Sequence, residues 1–297
     1  MLTSRDCLVK VLSTIESHIT DKLSVDSLSK EAYLSAPHLQ RLFKLTTQQS
    51  LMDYVRGRKL ACSLNELFDT DFRVIDIANK YAFQHEQSYI RAFYAEYGCT
   101  PGSARKKKHI LRIREAIDEK TLQVCGAGIL YGPEVVVAPS FYIIGKPHIF
   151  FNLDRQKDAF EPNKLGIKFY YDESACIPNV IYPDVYIGYV DKSVNNRIEY
   201  MPSLQVKDLT HVPRGFKGRA FPSHLYVRFR YVGAHHYNDI NMIFLQDSYT
   251  MIEAFFKGQA RYSAVYGYYL ERIDKASYDD VYCQMEWLYP VKDALGK

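Results

Sequence analysis

Two short runs carry side chains suited to reading nucleic acid. They are His38, Gln40, Arg41 and Lys44 within YLSAPHLQRLFK, and Gln87, Ser88 and Arg91 within HEQSYIRAF. Arginine forks onto guanine edges and glutamine onto adenine edges, so these types on one helix face make a base-reading surface. A third set, in the second half, is Glu286 in QMEWLYP and Glu199 in IEYMP among many tyrosines. Aromatic faces attract cations, whereas a lone glutamate on a strand is most often a solvated edge charge. Catalytic and metal signatures are missing: there is no nucleophile elbow, phosphate loop, HExxH or zinc spacing. The expectation is a protein that is not an enzyme and holds neither metal nor cofactor.

The first two sets need helices to present them. Ser24 is suited to cap a helix beginning at Val25, with Val25, Leu28 and Ala32 on its inner face. Ser35 is suited to cap the next, where Pro37 falls in the first turn and Leu39, Leu42 and Phe43 form the inward stripe. His38, Gln40, Arg41 and Lys44 then face outward. The layout returns further on. DIANKY (76–81) repeats SLSKEA (27–32) 49 residues later, and SYIRAF (88–93) matches HLQRLF (38–43) at an offset of 50. The change of offset implies one extra residue in the second turn. SLMDYVRGRKLACSLNELF between the copies reads as one connecting helix, on which Arg56, Arg58 and Lys59 are expected to touch phosphate. Two such units joined by a rigid helix suit successive major grooves of double-stranded DNA.

Charge and composition divide the chain at the same place. Residues 1–115 hold 18 Lys+Arg against 13 Asp+Glu, whereas the remainder holds 20 against 21. Of 25 tyrosines, 19 lie after residue 115, so the second region has a different chemistry. SARKKKHILRIRE, at the junction, reads as a basic linker helix lying along phosphate, although a run such as Arg105 to Lys108 is by itself more often a solvated face. The six cysteines have no paired spacing and read as reduced thiols, and no apolar run approaches a membrane span, so a cytoplasmic protein without membrane contact is expected.

The second region has a weaker repeat of its own. YIGYVDK (186–192) matches YLERIDK (269–275), IEYMP (198–202) matches MEWLYP (285–290), and FYIIGK (141–146) pairs with FRYVGA (229–234). Each unit reads as strand, helix, strand, strand, forming an antiparallel sheet with both helices on one face and a groove on the other. The second helix, NDINMIFLQDSYTMIEAFFKG, is expected to point Ile243, Phe244, Met251 and Phe255 inward and to end at Gly258. On the last strand Glu286 shares the groove face with Tyr282, Gln284 and Leu288, while Cys283, Met285, Trp287 and Tyr289 face the core.

Residues 8–108 resemble the DNA-binding domain of AraC/XylS-type transcription regulators. The likeness rests on YLSAPHLQRLFK, GRKLACSLNELF and VIDIANKYAFQHEQSYIRAFYAEYGCTPGSAR with its G-x-T-P-x-x-x-R ending. It departs from the family pattern at Ala82, where Gly is usual, and at Pro37 and Tyr94. The resemblance implies that Gln40, Arg41, Gln87 and Arg91 face the major groove. The domain leads the chain, as in a subgroup where a GyrI-like effector-binding domain follows. FPSHLYVRFRYVG, YYLERID and QMEWLYPVK resemble that second fold. This implies that Glu286 lies in an aromatic-walled cavity and attracts cationic ligands, with Glu199 as its counterpart by the internal repeat and Tyr186, Tyr226 and Tyr269 as candidate walls. The reading is therefore a multidomain chain: an all-α double helix-turn-helix domain at 1–108, a linker at 109–129, and an α+β GyrI-like domain at 130–297. Its function is ligand-responsive DNA binding, with double-stranded DNA, a small cationic or aromatic effector and RNA polymerase as partners. The alternatives are that the second domain hydrolyses a small molecule or engages a protein partner.

Overall fold

A computed structural model describes residues 3–126, 128–151, 161–194, 197–277 and 281–294. The chain divides into two compact units, Met1–Lys120 and Thr121–Lys297.

The first unit is helical: α1 (Ser4–Ser17), α2 (Val25–Glu31), α3 (Ala36–Thr47), α4 (Leu51–Asp69), α5 (Val74–Lys80), α6 (Glu86–Tyr97) and α7 (Pro101–Lys107). Local chemistry explains most of the ends. The Thr3, Ser24, Ser35, Ser50 and Thr100 side chains each accept a first-turn amide, leaving fewer orphan donors. Helices α3 and α6 both stop at a left-handed residue, Gln48 (φ 62°) and Gly98 (φ 71°). The second core gathers Leu60, Leu64 and Leu67 of α4 with Ile77, Ala78, Tyr89 and Phe93. Helix α4 spans 19 residues, about 28 Å.

Residues 103–115 do not form the single linker helix that their composition implies. Helix α7 ends at Lys107, Lys108 turns left-handed (φ 49°), and residues 109–118 carry no regular structure. Strand pairing begins inside the stretch read as linker, at Leu122.

The second unit contains β1 (Leu122–Cys125), β2 (Gly128–Ala138), β3 (Phe141–Gly145), β4 (His148–Phe151), α8 (Glu161–Lys168), β5 (Val185–Val194), β6 (Arg197–Val206), β7 (Lys217–Phe221), β8 (His224–Gly233), α9 (Met242–Gly258), β9 (Tyr262–Ala264), β10 (Tyr268–Asp274) and β11 (Cys283–Asp293). The antiparallel sheet runs β1-β2-β8-β11-β10-β5-β6-β3-β7. Its centre is two copies of one arrangement: β3, α8, β5 and β6 in the first, β8, α9, β10 and β11 in the second. The copies meet where β5 pairs β10.

Cys283, Met285 and Trp287 of β11 pack with Leu245 and Ile252 of α9, which defines the helix-bearing face. The inner stripe of α9 agrees with expectation in part. Met251 and Phe255 pack against the core beside buried Leu245, Ser248 and Ile252, whereas Ile243 is 65% exposed. Gly258 closes the helix without a left-handed turn, since the chain passes to extended Gln259 (φ −138°).

Candidate functional site

The two helix-turn-helix units match bond for bond. In the first, Tyr33 N–H donates to Lys30 O and Leu34 N–H to Ser29 O; in the second, Ala82 donates to Asn79 O and Phe83 to Ala78 O. This is the bonding of a helix that ends on a left-handed residue, and Tyr33 (φ 57°) and Ala82 (φ 56°) supply it. Helix α3 starts four residues after Ala32, and α6 five residues after Tyr81, which is the extra residue the offsets require. Leu28, Leu39 and Phe43 are matched by Ile77, Tyr89 and Phe93, all fully buried.

These buried faces leave Gln40 and Lys44 of α3 and Gln87 and Arg91 of α6 exposed, with His38, Arg41 and Ser88 half-buried beside them. Arg91 Nε donates back to Gln87 O at 3.3 Å, so the two sit one turn apart on the same face.

Three basic residues expected at phosphate have structural partners instead. Arg58 forks onto Glu16 of α1, with both bonds at 2.8 Å. Lys59 is 6% exposed and donates to Asp21 O (2.6 Å) and Tyr81 O (2.8 Å), and burial lowers its ammonium pKa. Arg105 donates to Leu67 O and Phe72 O, both at 2.7 Å, and so caps the end of α4. Arg56 is exposed but paired with Asp53 at 2.9 Å. Lys106, Lys107 and Lys108 remain exposed.

In the second unit a cavity of about 820 Å³, counting the space open at its mouth, lies on the helix-bearing face. It is not on the bare face, where the sequence reading puts the groove. Tyrosines surround it: Tyr186 and Tyr200 from the sheet, Tyr170 and Tyr171 just after α8, and Tyr237 and Tyr249 before and within α9. The Tyr171 and Tyr237 hydroxyls meet at 2.6 Å, joining the two copies across the cavity, and Tyr186 and Tyr200 share a hydrogen bond beneath. Glu271 and Asp184 supply its carboxylates. Tyr249 donates to Glu271 Oε1 at 2.8 Å, while Asp184 lies 3.8 Å from Lys275. Burial raises the Tyr186, Tyr200 and Tyr249 phenols far above their ordinary range, so they act as neutral donors beside the carboxylate.

Of the five residues singled out for a ligand, only Tyr186 lines this cavity. Glu286 is 5% exposed on the opposite face, within reach of Arg230 (3.2 Å), Arg272 (3.3 Å) and Arg228 (3.6 Å). Strand alternation is the cause, because Met285 and Trp287 point to the helices and Glu286 between them must point away. Three guanidiniums leave that carboxylate no net attraction for a cation. Glu199 repeats the pattern against Lys217 (3.0 Å) and Arg219 (2.9 Å). Burial works to raise its pKa, but the bonds from Arg219 and Lys217 outweigh it and hold the carboxyl below the ordinary value. Tyr226 is fully buried in the core of that same far face. Tyr269 stacks on Tyr289 at 5.0 Å, with Lys192 Nζ 5.2 Å from its ring. Sequence reasoning missed Glu271, Asp184, Tyr170, Tyr171, Tyr200, Tyr237 and Tyr249. One signal for Glu271 was present: it aligns with Gly188 in the YIG/YLE repeat, a charged residue where its copy has none.

Duplicated helix-turn-helix units joined by one helix define a class of DNA-binding protein, and comparison with known proteins agrees. A helix-turn-helix domain family matches residues 28–107. The chain is 35% identical over 96 residues to the HTH-type transcriptional activator AarP of Providencia stuartii, spanning 32% of this chain and 71% of that protein. It is also 35% identical over 96 residues to the right origin-binding protein of Escherichia coli, spanning 32% of this chain and 33% of that one. Among solved structures, the DNA-binding domain of AdpA in complex with a target DNA aligns with a TM-score of 0.33 and 20% identity, over 34% of this chain and 90% of that one. The chain belongs to the AraC-type helix-turn-helix transcription regulators. The family match ends at residue 107, so the second unit lies outside it. Among the described residues no helix is long and apolar enough to cross a membrane.

Proposed function

We propose that this DNA-binding regulator is ligand-responsive, with the second unit a GyrI-like sensor of a small cationic or aromatic molecule. One observation carries the reading: a cavity walled by six tyrosines that also contains the carboxylate of Glu271. Tyrosine faces attract flat rings and cations, and a half-buried carboxylate adds charge-assisted binding in a setting drier than bulk water. The duplicated strand-helix-strand-strand topology supports the GyrI-like assignment. In the first unit, His38, Gln40, Arg41 and Lys44 face one major groove and Gln87, Ser88 and Arg91 the next, while the ligand tunes engagement with RNA polymerase.

The test is calorimetric titration of the full chain with lipophilic aromatic cations and their neutral analogues. Saturable binding with a preference for the cations is the expected result. Turnover of a cation would mark the second unit as a hydrolase, and failure to bind any compound would leave a protein-interaction module.

A further inference from the structure

Residues 109–117 lie outside both helix-turn-helix units, yet they are bonded to parts of each. Leu111 packs against the second helical core. Arg114 is the main anchor of the segment. Its Nε and Nη2 fork onto Glu96 of α6 at 3.0 and 2.8 Å. Its Nη1 donates to Gln49 Oε1 (3.0 Å), just beyond the end of α3, and to Asp53 O (3.4 Å) in α4. Its own carbonyl accepts from Arg58, which is anchored on Glu16. Further along, Ile117 N–H donates to the Tyr54 hydroxyl at 3.1 Å. The guanidinium crosses α4 where Gly57 leaves room, and a β-carbon there would come within 2.8 Å of Arg114 Cζ. One side chain thus ties the tail of the first recognition helix, the connecting helix and the flank of the second recognition helix.

We propose that Arg114 is a positioning residue for DNA recognition. It locks the end of α3 to α6 and so fixes the separation at which the two recognition helices meet a duplex. The inference rests on the reading that both helices enter DNA. A bidentate arginine suits the task, because its planar fork fixes direction as well as distance. Moving one half-site by one base pair displaces it by about 3.4 Å and turns it by about 35°, so a locked pair of helices must discriminate between spacings.

The experiment starts by selecting a cognate duplex from a random pool with the full-length protein. Affinities are then measured by fluorescence anisotropy on that duplex and on versions with the half-sites one base pair closer or further apart. The parent should lose about tenfold or more on either shift. Arg114→Lys keeps the charge without the fork, and Gly57→Ala pushes the guanidinium aside while raising helix propensity, so both variants should fold. Each should cut the spacing penalty to about threefold or less, with single half-site affinity unchanged. A purely structural role would lower all affinities together. Parent-like penalties in both folded variants would overturn the positioning role. A selected site with only one specified block would instead sink the two-groove reading beneath it.

Discussion

Gly188 and Glu271 face each other across β5 and β10, and they are also equivalent positions of the two repeats, 83 residues apart. The pseudo-two-fold relation between the halves therefore passes through this pair. At such a point two copies of one large side chain would collide, and the chain resolves this with glycine on one side and glutamate on the other. A β-carbon on Gly188 would sit 3.1 Å from Glu271 Oε2 and 3.3 Å from the Tyr200 ring. Gly188→Ala should thus displace the carboxylate and weaken cation binding about tenfold, roughly the worth of one misplaced charged group. Alanine is the better strand residue, so the melting temperature should not fall. Calorimetry alongside thermal denaturation checks both.

Glu286 should behave in the opposite way. Its carboxylate serves buried Arg230, whose other described carboxylate partner, Glu134, lies at 3.3 Å. Removing Glu286 takes one carboxylate from buried Arg230 and leaves its pair with Glu134, so the cost stays below that of a wholly broken buried pair. Glu286→Ala should lower the stability of the full chain by about 1–3 kcal/mol in denaturant titration. A variant as stable as the parent would contradict the ion-network account.

Ala82 holds a left-handed conformation (φ 56°) that glycine adopts more readily than an L-residue. Ala82→Gly should stabilise the helical unit by about 1 kcal/mol, net of the chain entropy that glycine adds to the unfolded state. Tyr33 (φ 57°) carries the same backbone cost. Its ring, however, lies 4.5 Å from Lys10 Nζ, so Tyr33→Gly should gain less. Chemical denaturation of both variants measures the difference.

The helical unit was largely legible because its signals are local. Caps at Ser24 and Ser35, a repeat at offsets of 49 and 50, and an inward stripe at helical spacing are all readable within a few residues. Charge alone could not separate Arg58, Lys59 and Arg105, which are internal struts, from Lys106 to Lys108, which stay in solvent. That distinction depends on acceptors far away in sequence, such as Glu16 and Tyr81 O. The ligand site was harder for the same reason. The alternation on β11 is legible in the sequence, but assigning its polar face requires knowing that Arg228, Arg230 and Arg272 converge on Glu286. Only the register of β8 and β10 against β11 reveals that.

Base reading and phosphate binding should separate by mutation. Arg41→Ala and Arg91→Ala should each cost about 1–3 kcal/mol on a selected site and far less on random DNA. Replacing Lys106, Lys107 and Lys108 by alanine should weaken both alike, and the salt slope should drop by about one unit for each phosphate no longer neutralised. Competition binding at several salt concentrations distinguishes the two patterns.

Effector recognition is proposed to rest on Glu271 within its tyrosine walls. Glu271→Gln keeps the shape and can still accept the bond from Tyr249, but it removes the charge. The decisive measurement is calorimetric titration of the parent and Glu271→Gln with one lipophilic aromatic cation and its neutral analogue. The expected result is a loss of roughly tenfold to hundredfold for the cation, about 1.5–3 kcal/mol, with the neutral analogue bound almost equally by both proteins. Equal cation affinity in the two proteins would contradict it.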